Sequence, residues 1–138
     1  GESPFKDFQG SELYGRTLGI IGLGKIGSRV AQLAQAFGMQ VIAYSPYSLA
    51  KEAAATGVEL VSLVDLMRRA DFITIHARVT PETLGLIGKS QFNLMKPSAY
   101  LISTSRAAII DQAALIQALE QGRIAGAAMD VYWYELSP

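Results

Sequence analysis

Residues 18–37 read LGIIGLGKIGSRVAQLAQAF, and this stretch decides the fold. Its first six residues are almost all apolar and predict a short buried strand. Gly22, Gly24 and Gly27 then stand in the pattern G-x-G-x-x-G. Behind the glycines, apolar residues recur at the spacing of a helix, at positions 26, 30, 33, 34 and 37. The stretch therefore predicts a strand that turns into a helix at its glycines.

This context is the one that a dinucleotide-binding fingerprint requires. Gly22 permits a tight turn, Gly24 has no Cβ and lets a pyrophosphate approach the backbone, and Gly27 lets the helix pack close to the strand. The N-terminus of the helix offers free N–H groups to the phosphates. Three glycines in an ordinary strand–loop–helix are the alternative. The flanking strand and helix favour cofactor binding.

The composition limits the classes of function. The 138 residues, half of them hydrophobic, are enough for one domain with a proper core. Twelve basic and twelve acidic residues give a net charge of zero, which favours neither a nucleic-acid nor a membrane partner. The absence of cysteine excludes disulfides and thiolate metal sites and fits a reducing compartment, so we expect a cytoplasmic protein. A single histidine excludes a multi-histidine metal site, and we predict no metal.

Short apolar runs alternate along the chain with stretches of helical periodicity. The predicted strands cover residues 17–23, 40–44, 58–60 (the weakest), 72–75, 99–103 and 126–131. The predicted helices cover residues 25–37, 49–56, 63–69, 89–94 and 112–121. Nearly continuous apolar strands are typical of a parallel sheet that is covered on both faces. We therefore predict an α/β fold, a Rossmann-type doubly wound parallel sheet in three α/β/α layers.

Residues with capping chemistry stand at the ends of these helices. Ser62 and Asp111 occupy N-cap positions, where a side-chain oxygen can accept a backbone N–H. Gly38 and Gly122 stand where a helix ends in a left-handed residue. These four residues support the predicted boundaries.

Polar side chains follow the apolar strands directly. In a parallel α/β sheet, ligands bind at the carboxyl ends of the strands, so these residues are expected at one ligand-facing edge. They are Ser45, His76, Thr104, Ser105, Arg106, Asp130 and, a little further on, Glu135. The sequence therefore predicts the functional site at this edge.

Four segments in order carry a resemblance to a known family: GIIGLGKIG, AFGMQVIAYSPY, HARVTPETLGLIG and MKPSAYLISTSRAAIIDQAALIQALEQGRIAGAAMDVY. Over residues 12–135 the chain resembles the cofactor-binding domain of the D-isomer-specific 2-hydroxyacid dehydrogenases. The resemblance implies binding of NAD or NADP and hydride transfer between the nicotinamide and a small D-2-hydroxy acid or 2-oxo acid. It also implies a homodimer.

The resemblance assigns roles to individual residues. The family segment N-T-x-R-G is STSRA here, which makes Arg106 the substrate-orienting arginine, whose planar fork suits a carboxylate. Glu135 matches by spacing the glutamate that supports the catalytic histidine, so the predicted catalytic residues are Arg106 and Glu135. The predicted cofactor-binding residues are Gly22, Gly24, Lys25, Ile26, Gly27, Ser45, His76, Thr104, Ser105, Arg106 and Asp130.

The catalytic histidine of the family follows a further strand, and this chain stops at Pro138. His76 matches a different histidine, whose neighbourhood lines the cofactor cleft, and a structural, hydrogen-bonded role is favoured for it. We therefore expect residues 1–16 to be an interdomain segment and residues 17–138 to be an NAD(P)-binding domain truncated before the catalytic histidine. The substrate domain is expected to be absent, and the chain alone to be inactive.

Two departures from the family pattern bear on the cofactor. Ser45 stands where an acid would bind the adenosine ribose and repel a 2′-phosphate, yet no arginine follows, and Lys51 is the nearest cation. The choice between NAD and NADP therefore stays open. Arg78 stands where the family usually carries proline, and it either approaches the cofactor or is solvated.

Two other functions compete with the dehydrogenase. One is a nucleotide-sensing, dimerising interaction module like the corepressor members of the same family, in which the cofactor favours association and not turnover. The other is an unrelated Rossmann domain such as a methyltransferase. The segments around Arg106 and Asp130 argue against the second of these.

Overall fold

The computed structural model of the chain describes residues 10–48 and 50–134. The strands are β1 (Thr17–Ile21), β2 (Gln40–Tyr44), β3 (Glu59–Leu60), β4 (Phe72–Ile75), β5 (Tyr100–Ser103) and β6 (Gly126–Met129). The α-helices are α1 (Lys25–Ala36), α2 (Ala50–Ala55), α3 (Leu63–Arg69), α4 (Lys89–Leu94) and α5 (Gln112–Glu120). Most of the predicted interdomain segment and the whole of Glu135 lie outside the described residues.

The strands form one parallel sheet in the order β3-β2-β1-β4-β5-β6. β1 lies between β2 and β4, and Leu18 pairs with Val41 on one side and Phe72 on the other. The chain winds outward from β1 in one direction as far as β3 and then returns to continue from β4 in the other. The order therefore reverses between β1 and β4, which is where such sheets open a crevice at their carboxyl ends. This topology confirms the predicted doubly wound Rossmann-type fold.

Two apolar layers cover the sheet. One layer contains Leu66 of α3, Phe92 of α4 and Leu115 of α5, and the other contains Ala31 of α1 and Ala53 of α2. The layers lie on opposite faces because successive residues of a strand point to opposite sides. The predicted three-layer arrangement is therefore confirmed.

The element boundaries differ slightly from the prediction, and a glycine explains the main difference. The first strand ends at Ile21 and not at Leu23, because Gly22 takes a positive φ of 94° that ends the extended conformation. The last strand ends at Met129 and not at residue 131. Gly38 and Gly122 have positive φ after α1 and α5, and Ser62 and Asp111 cap α3 and α5, as predicted.

Helix α1 turns its large apolar residues outward. Ile26, Leu33 and Phe37 are 67%, 50% and 62% exposed, and we call these three residues the α1 stripe. The buried flank of the helix carries Gly27 and Ala31 instead. Only small residues fit there, because a Cβ built on Gly27 would lie 2.2 Å from the carbonyl oxygen of Gly22. The periodicity that identifies this helix thus combines exposed large residues with Val30 and Ala34, which pack against the core.

None of the helices within the described residues is long and apolar enough to cross a bilayer.

An ion pair ties the amino-terminal edge of the sheet together. The Asp71 carboxylate accepts the backbone N–H of Thr17 at 2.8 Å and the Lys96 ammonium at 3.0 Å. Burial raises the pKa of Asp71, but the Thr17 N–H and the charges of Lys96 and Arg16 outweigh burial and lower that pKa below its ordinary value. The charged form of Asp71 therefore stabilises the folded chain.

We expect Asp71→Asn to lower the free energy of unfolding by about 1 kcal/mol at pH 7, since the partner Lys96 is partly exposed. A group whose pKa is lowered by folding contributes stability above its unfolded pKa and loses it as the pH falls through the folded pKa. The difference between variant and parent should therefore shrink as the pH falls below about 4, the ordinary pKa of an aspartate. Urea unfolding at pH 7 and pH 3 measures it, with Glu120→Gln as the control. A difference that stays constant with pH would contradict this role of the carboxylate.

Candidate functional site

Two adjoining cavities open at the carboxyl edge of the sheet. The larger, which we call the β5-side cavity, measures about 1010 Å³. The smaller, the β2-side cavity, measures about 630 Å³ and lies between the glycine turn, residues 45–48 and the loop that follows β4. The β5-side cavity is lined by Gly24, Lys25, Ile26, His76, Ala77, Arg78, Val79, Thr104, Ser105 and Arg106. The two cavities meet at Gly24 and at the first three residues after β4, positions 76–78.

The glycine turn separates the cavities, and each glycine has a different environment. A Cβ on Gly22 would lie 2.8 Å from the backbone nitrogen of Ala77, so the turn lies directly against the loop after β4. Gly27 is buried beneath the turn. Gly24 has no protein atom within 4 Å of where its Cβ would be, and it faces both cavities. The turn thus leaves open space at Gly24 alone.

Ser45 holds the end of β2 to this turn. Its hydroxyl oxygen accepts the backbone N–H of Leu23 at 3.1 Å and lies 2.7 Å from the hydroxyl oxygen of Ser48. Ser45 also lines the β2-side cavity. The side chain at the predicted ribose position is therefore already engaged with the backbone of the glycine turn.

His76 is half-buried between the two cavities. Its Nε2 atom lies 2.9 Å from the hydroxyl oxygen of Thr74, a buried residue two positions earlier on β4. Burial lowers the pKa of His76 below its ordinary value, so the imidazole is neutral at pH 7. The hydrogen bond gives the side chain the structural partner that the predicted role requires.

Arg106 presents a guanidinium to the β5-side cavity. The residue is exposed, and its Nη1 donates to the carbonyl oxygen of Ser105 at 2.7 Å. The structure gives its remaining N–H groups no partner within the described part of the chain, and they are available to an anion. Next to it, the hydroxyls of Ser103 and Ser105 are buried and make no hydrogen bond to the described residues. The end of β5 and the segment after it thus carry polar side chains whose hydroxyl and N–H groups are mostly without hydrogen-bond partners among the described residues.

The structure brings most of the predicted site residues to this edge, but not all of them to the cavities. Asp130 is exposed and lines neither cavity, although its backbone N–H donates to Ser103 at 3.0 Å and so holds it beside β5. Gly27 lies behind the turn. Glu135 lies outside the described residues. Within residues 10–48 and 50–134, no group of three or more His, Cys, Asp or Glu side chains could hold a metal ion.

Two contacts that hold segments around the site were not foreseen in the sequence. In the loop after β4, the Thr83 hydroxyl accepts the Thr80 N–H and donates to the carbonyl oxygen of Arg78. Trp133 donates its indole N–H to the carbonyl oxygen of Ile110 at 2.9 Å and so anchors the segment after β6. The threonine spacing in VTPET and the single tryptophan are the signals that point to these contacts.

Comparison with known proteins adds a family to this geometry. Residues 2–138 match the family described as "D-isomer specific 2-hydroxyacid dehydrogenase, NAD binding domain". A D-3-phosphoglycerate dehydrogenase of Methanocaldococcus jannaschii is 49% identical over 133 residues, which are 96% of this chain and 25% of that protein. A glyoxylate reductase of Aeropyrum pernix is 49% identical over 123 residues, 89% of this chain and 37% of the reductase.

A solved structure agrees with these relatives. The NAD-complexed D-isomer specific 2-hydroxyacid dehydrogenase from Lactobacillus delbrueckii ssp. bulgaricus superposes with a TM-score of 0.85 at 36% identity. The superposition covers 94% of this chain and 39% of that one. The chain thus spans between a quarter and two fifths of the length of these three proteins.

Proposed function

Because the chain belongs to the D-isomer specific 2-hydroxyacid dehydrogenases, as their NAD-binding domain, we propose that it holds the dinucleotide and orients a small D-2-hydroxy acid or 2-oxo acid beside it. The chain spans 25% of its phosphoglycerate dehydrogenase relative, and the substrate class is part of the proposal. One observation carries the proposal. The guanidinium of Arg106, which bonds to the described residues only through Nη1, shares the β5-side cavity with Gly24 and Lys25 of the glycine turn.

The shape of the site fits a dinucleotide, which consists of two nucleotides joined by a pyrophosphate. We assign the adenosine half to the β2-side cavity, where Pro46, Tyr47 and Leu86 offer apolar surface. We assign the nicotinamide half to the β5-side cavity. The pyrophosphate then lies at Gly24, where the two cavities meet and the protein leaves open space at the start of α1. Once bound, the nicotinamide supplies or accepts the hydride.

Arg106 orients the substrate. Its planar fork pairs with a carboxylate through two parallel hydrogen bonds, and its charge polarises the neighbouring carbonyl. The guanidinium stays protonated near pH 7 and cannot deliver the proton that the carbonyl oxygen needs. Asp130, beside the end of β5, and Glu135 complete the proposed site. Glu135 is proposed to support the histidine that acts as the acid in the family.

His76 is unsuited to that role. It is the one histidine of the sequence, it bonds to Thr74, and its lowered pKa leaves it neutral. We therefore expect the isolated chain to bind NADH and not to oxidise it when glyoxylate or hydroxypyruvate is added. Calorimetry measures the binding, and the nicotinamide absorbance measures turnover.

The two measurements decide the proposal. Failure to bind either NADH or NADPH at about 1 mM, the upper end of ordinary affinities for enzyme substrates, would contradict it. Robust oxidation of NADH by the chain, if it disappears in His76→Ala, would contradict both the structural role of His76 and the expected inactivity of the isolated chain.

The uncharged Ser45 allows the site to accept either cofactor, because it does not repel a 2′-phosphate on the adenosine ribose. Ser45→Asp is therefore expected to favour NADH over NADPH. A carboxylate at this position can still accept the Leu23 N–H, so the turn is kept, while its charge repels a 2′-phosphate. We expect the ratio of the two dissociation constants to shift by about tenfold. Ser98→Asp adds the same charge at an exposed site just before β5, at the opposite edge of the sheet, and serves as the control. An unchanged ratio in Ser45→Asp would show that this position does not face the ribose.

We also propose that the protein is a homodimer. Leu33 and Phe37 of the α1 stripe support this, because they are exposed, line neither cavity, and exposed apolar surface marks interaction sites. The same stripe supports the second candidate function, a dinucleotide-sensing module that associates without turnover. Sedimentation with and without NADH distinguishes the states, since only the sensing module requires an association that the cofactor strengthens. A monomer in both conditions would contradict the homodimer.

The cytoplasm is the proposed location. The sequence contains no cysteine, which fits a reducing compartment. Fractionation of cells that express the full-length protein tests this, and recovery from an oxidising compartment would contradict it.

A further inference from the structure

Arg78 occupies the junction of the two cavities. It lines both of them, together with Gly24, and among the residues whose side chains the structure describes it is the one cation that lines the β2-side cavity. On the β5 side the other two cations are Lys25, at the start of α1, and Arg106. Arg78 therefore shares with the N-terminus of α1 the place where the two halves of the proposed dinucleotide join.

The backbone of Arg78 is fixed while its side chain is free. The Thr83 hydroxyl donates to the carbonyl oxygen of Arg78 at 2.5 Å, and the Thr80 N–H in turn donates to that hydroxyl at 2.8 Å. The guanidinium is exposed and forms no hydrogen bond or ion pair within residues 10–48 and 50–134. All of its donors are thus available to a ligand, on a loop position that is already ordered.

The charges around the loop decide which phosphate suits this arginine. Glu82 lines the β2-side cavity, and hydrogen bonds from Thr80 and from its own backbone lower the pKa of its carboxyl. It is therefore ionised at pH 7 and opposes a 2′-phosphate on the adenosine side. At Gly24, by contrast, a pyrophosphate meets the N–H groups of α1, Lys25 and Arg78, and none of the described residues that line the β5-side cavity is a carboxylate.

We propose that Arg78 binds the pyrophosphate of the dinucleotide, as a contact that adds to those of the glycine turn. The inference rests on the proposed function, since it needs a dinucleotide across the two cavities. Arginine is suited to this contact because its fork matches two phosphate oxygens.

The test compares three variants of the full chain by calorimetry at low salt. Arg78→Ala removes the guanidinium, Arg78→Lys keeps a charge without the fork, and Arg68→Ala removes an exposed arginine of α3 that lines neither cavity. We expect Arg78→Ala to bind NADH and ADP-ribose about tenfold more weakly and adenosine equally well. Arg78→Lys should fall in between and Arg68→Ala should match the parent. The difference in NADH affinity between Arg78→Ala and the parent should become smaller as salt is added.

The outcomes separate this inference from the proposed function. If Arg78→Ala weakens the binding of NADPH and leaves the binding of NADH unchanged, Arg78 binds the 2′-phosphate and the proposal is wrong. If all variants bind NADH like the parent, the proposal is wrong while the dinucleotide site stands. If the unaltered chain binds no dinucleotide, both fall. Arg78→Lys, which keeps the charge and most of the side chain, decides the matter should the alanine variant fold poorly.

Discussion

Gly24→Val is expected to abolish dinucleotide binding and to leave the fold intact. A Cβ at this position meets no protein atom within 4 Å, and the backbone φ of −93° suits any residue. The protein therefore tolerates the side chain. The ligand does not, because the branched valine fills the space where the two cavities join. We expect affinity for NADH to fall by at least about a hundredfold.

Calorimetry with NADH measures the loss, and circular dichroism checks that the fold persists. Gly10→Val is a matched control, because Gly10 also has open space around its Cβ position and lines neither cavity. It should bind like the parent. If Gly24→Val and the parent bind NADH with equal affinity, the pyrophosphate does not bind at the glycine turn. The assignment of this site to the cofactor is then wrong.

Gly27→Ala is expected to destabilise the fold by about 3 kcal/mol. Glycine to alanine inside a helix ordinarily stabilises by about 0.5–1 kcal/mol, so the expected sign is reversed. The reason is the approach of α1 to the turn. The new Cβ would lie 2.2 Å from the carbonyl oxygen of Gly22 and 3.3 Å from a methyl group of Ile20, and the first of these atoms belongs to the backbone. Relief requires that the helix or the turn move.

Urea unfolding measures this loss directly. Gly24→Ala serves as the control within the same turn, because its Cβ points into open space, and its midpoint should stay close to that of the parent. A Gly27→Ala variant as stable as the parent would show that α1 does not pack against the turn at this distance.

The fold could be predicted because local patterns and topology agree. The turn at Gly22 and the caps at Ser62 and Asp111 are short-range chemistry, and each appears in the structure as expected. The orientation of α1 could not be predicted from its periodicity. Apolar spacing identifies a helix, but the flank that packs is chosen by how closely Gly27 lets the helix approach, which exposes the large residues of the α1 stripe.

The edge that carries the site could also be predicted, because parallel strands bring their carboxyl ends together. The contacts at that edge could not. A serine hydroxyl can bind a ribose or a backbone N–H, and only the approach of Leu23 shows that Ser45 binds the second. Asp130 follows its strand as expected but lines neither cavity, since it lies beyond β5 on the neighbouring strand. The availability of Arg78 likewise depends on which partners the loop brings near it.

The central place of β1 has a consequence for amide hydrogen exchange. β1 is hydrogen-bonded to β2 on one side and β4 on the other, and its residues Ile20 and Ile21 are fully buried. Its amides should therefore exchange with deuterium only when the whole sheet opens, whereas those of the two-residue edge strand β3 should exchange early. The glycine turn directly follows β1, the strand whose amides are expected to exchange most slowly. A bound dinucleotide should accordingly slow amide exchange mainly in the loops after β4 and β5, because the amides of β1 are already fully protected without it.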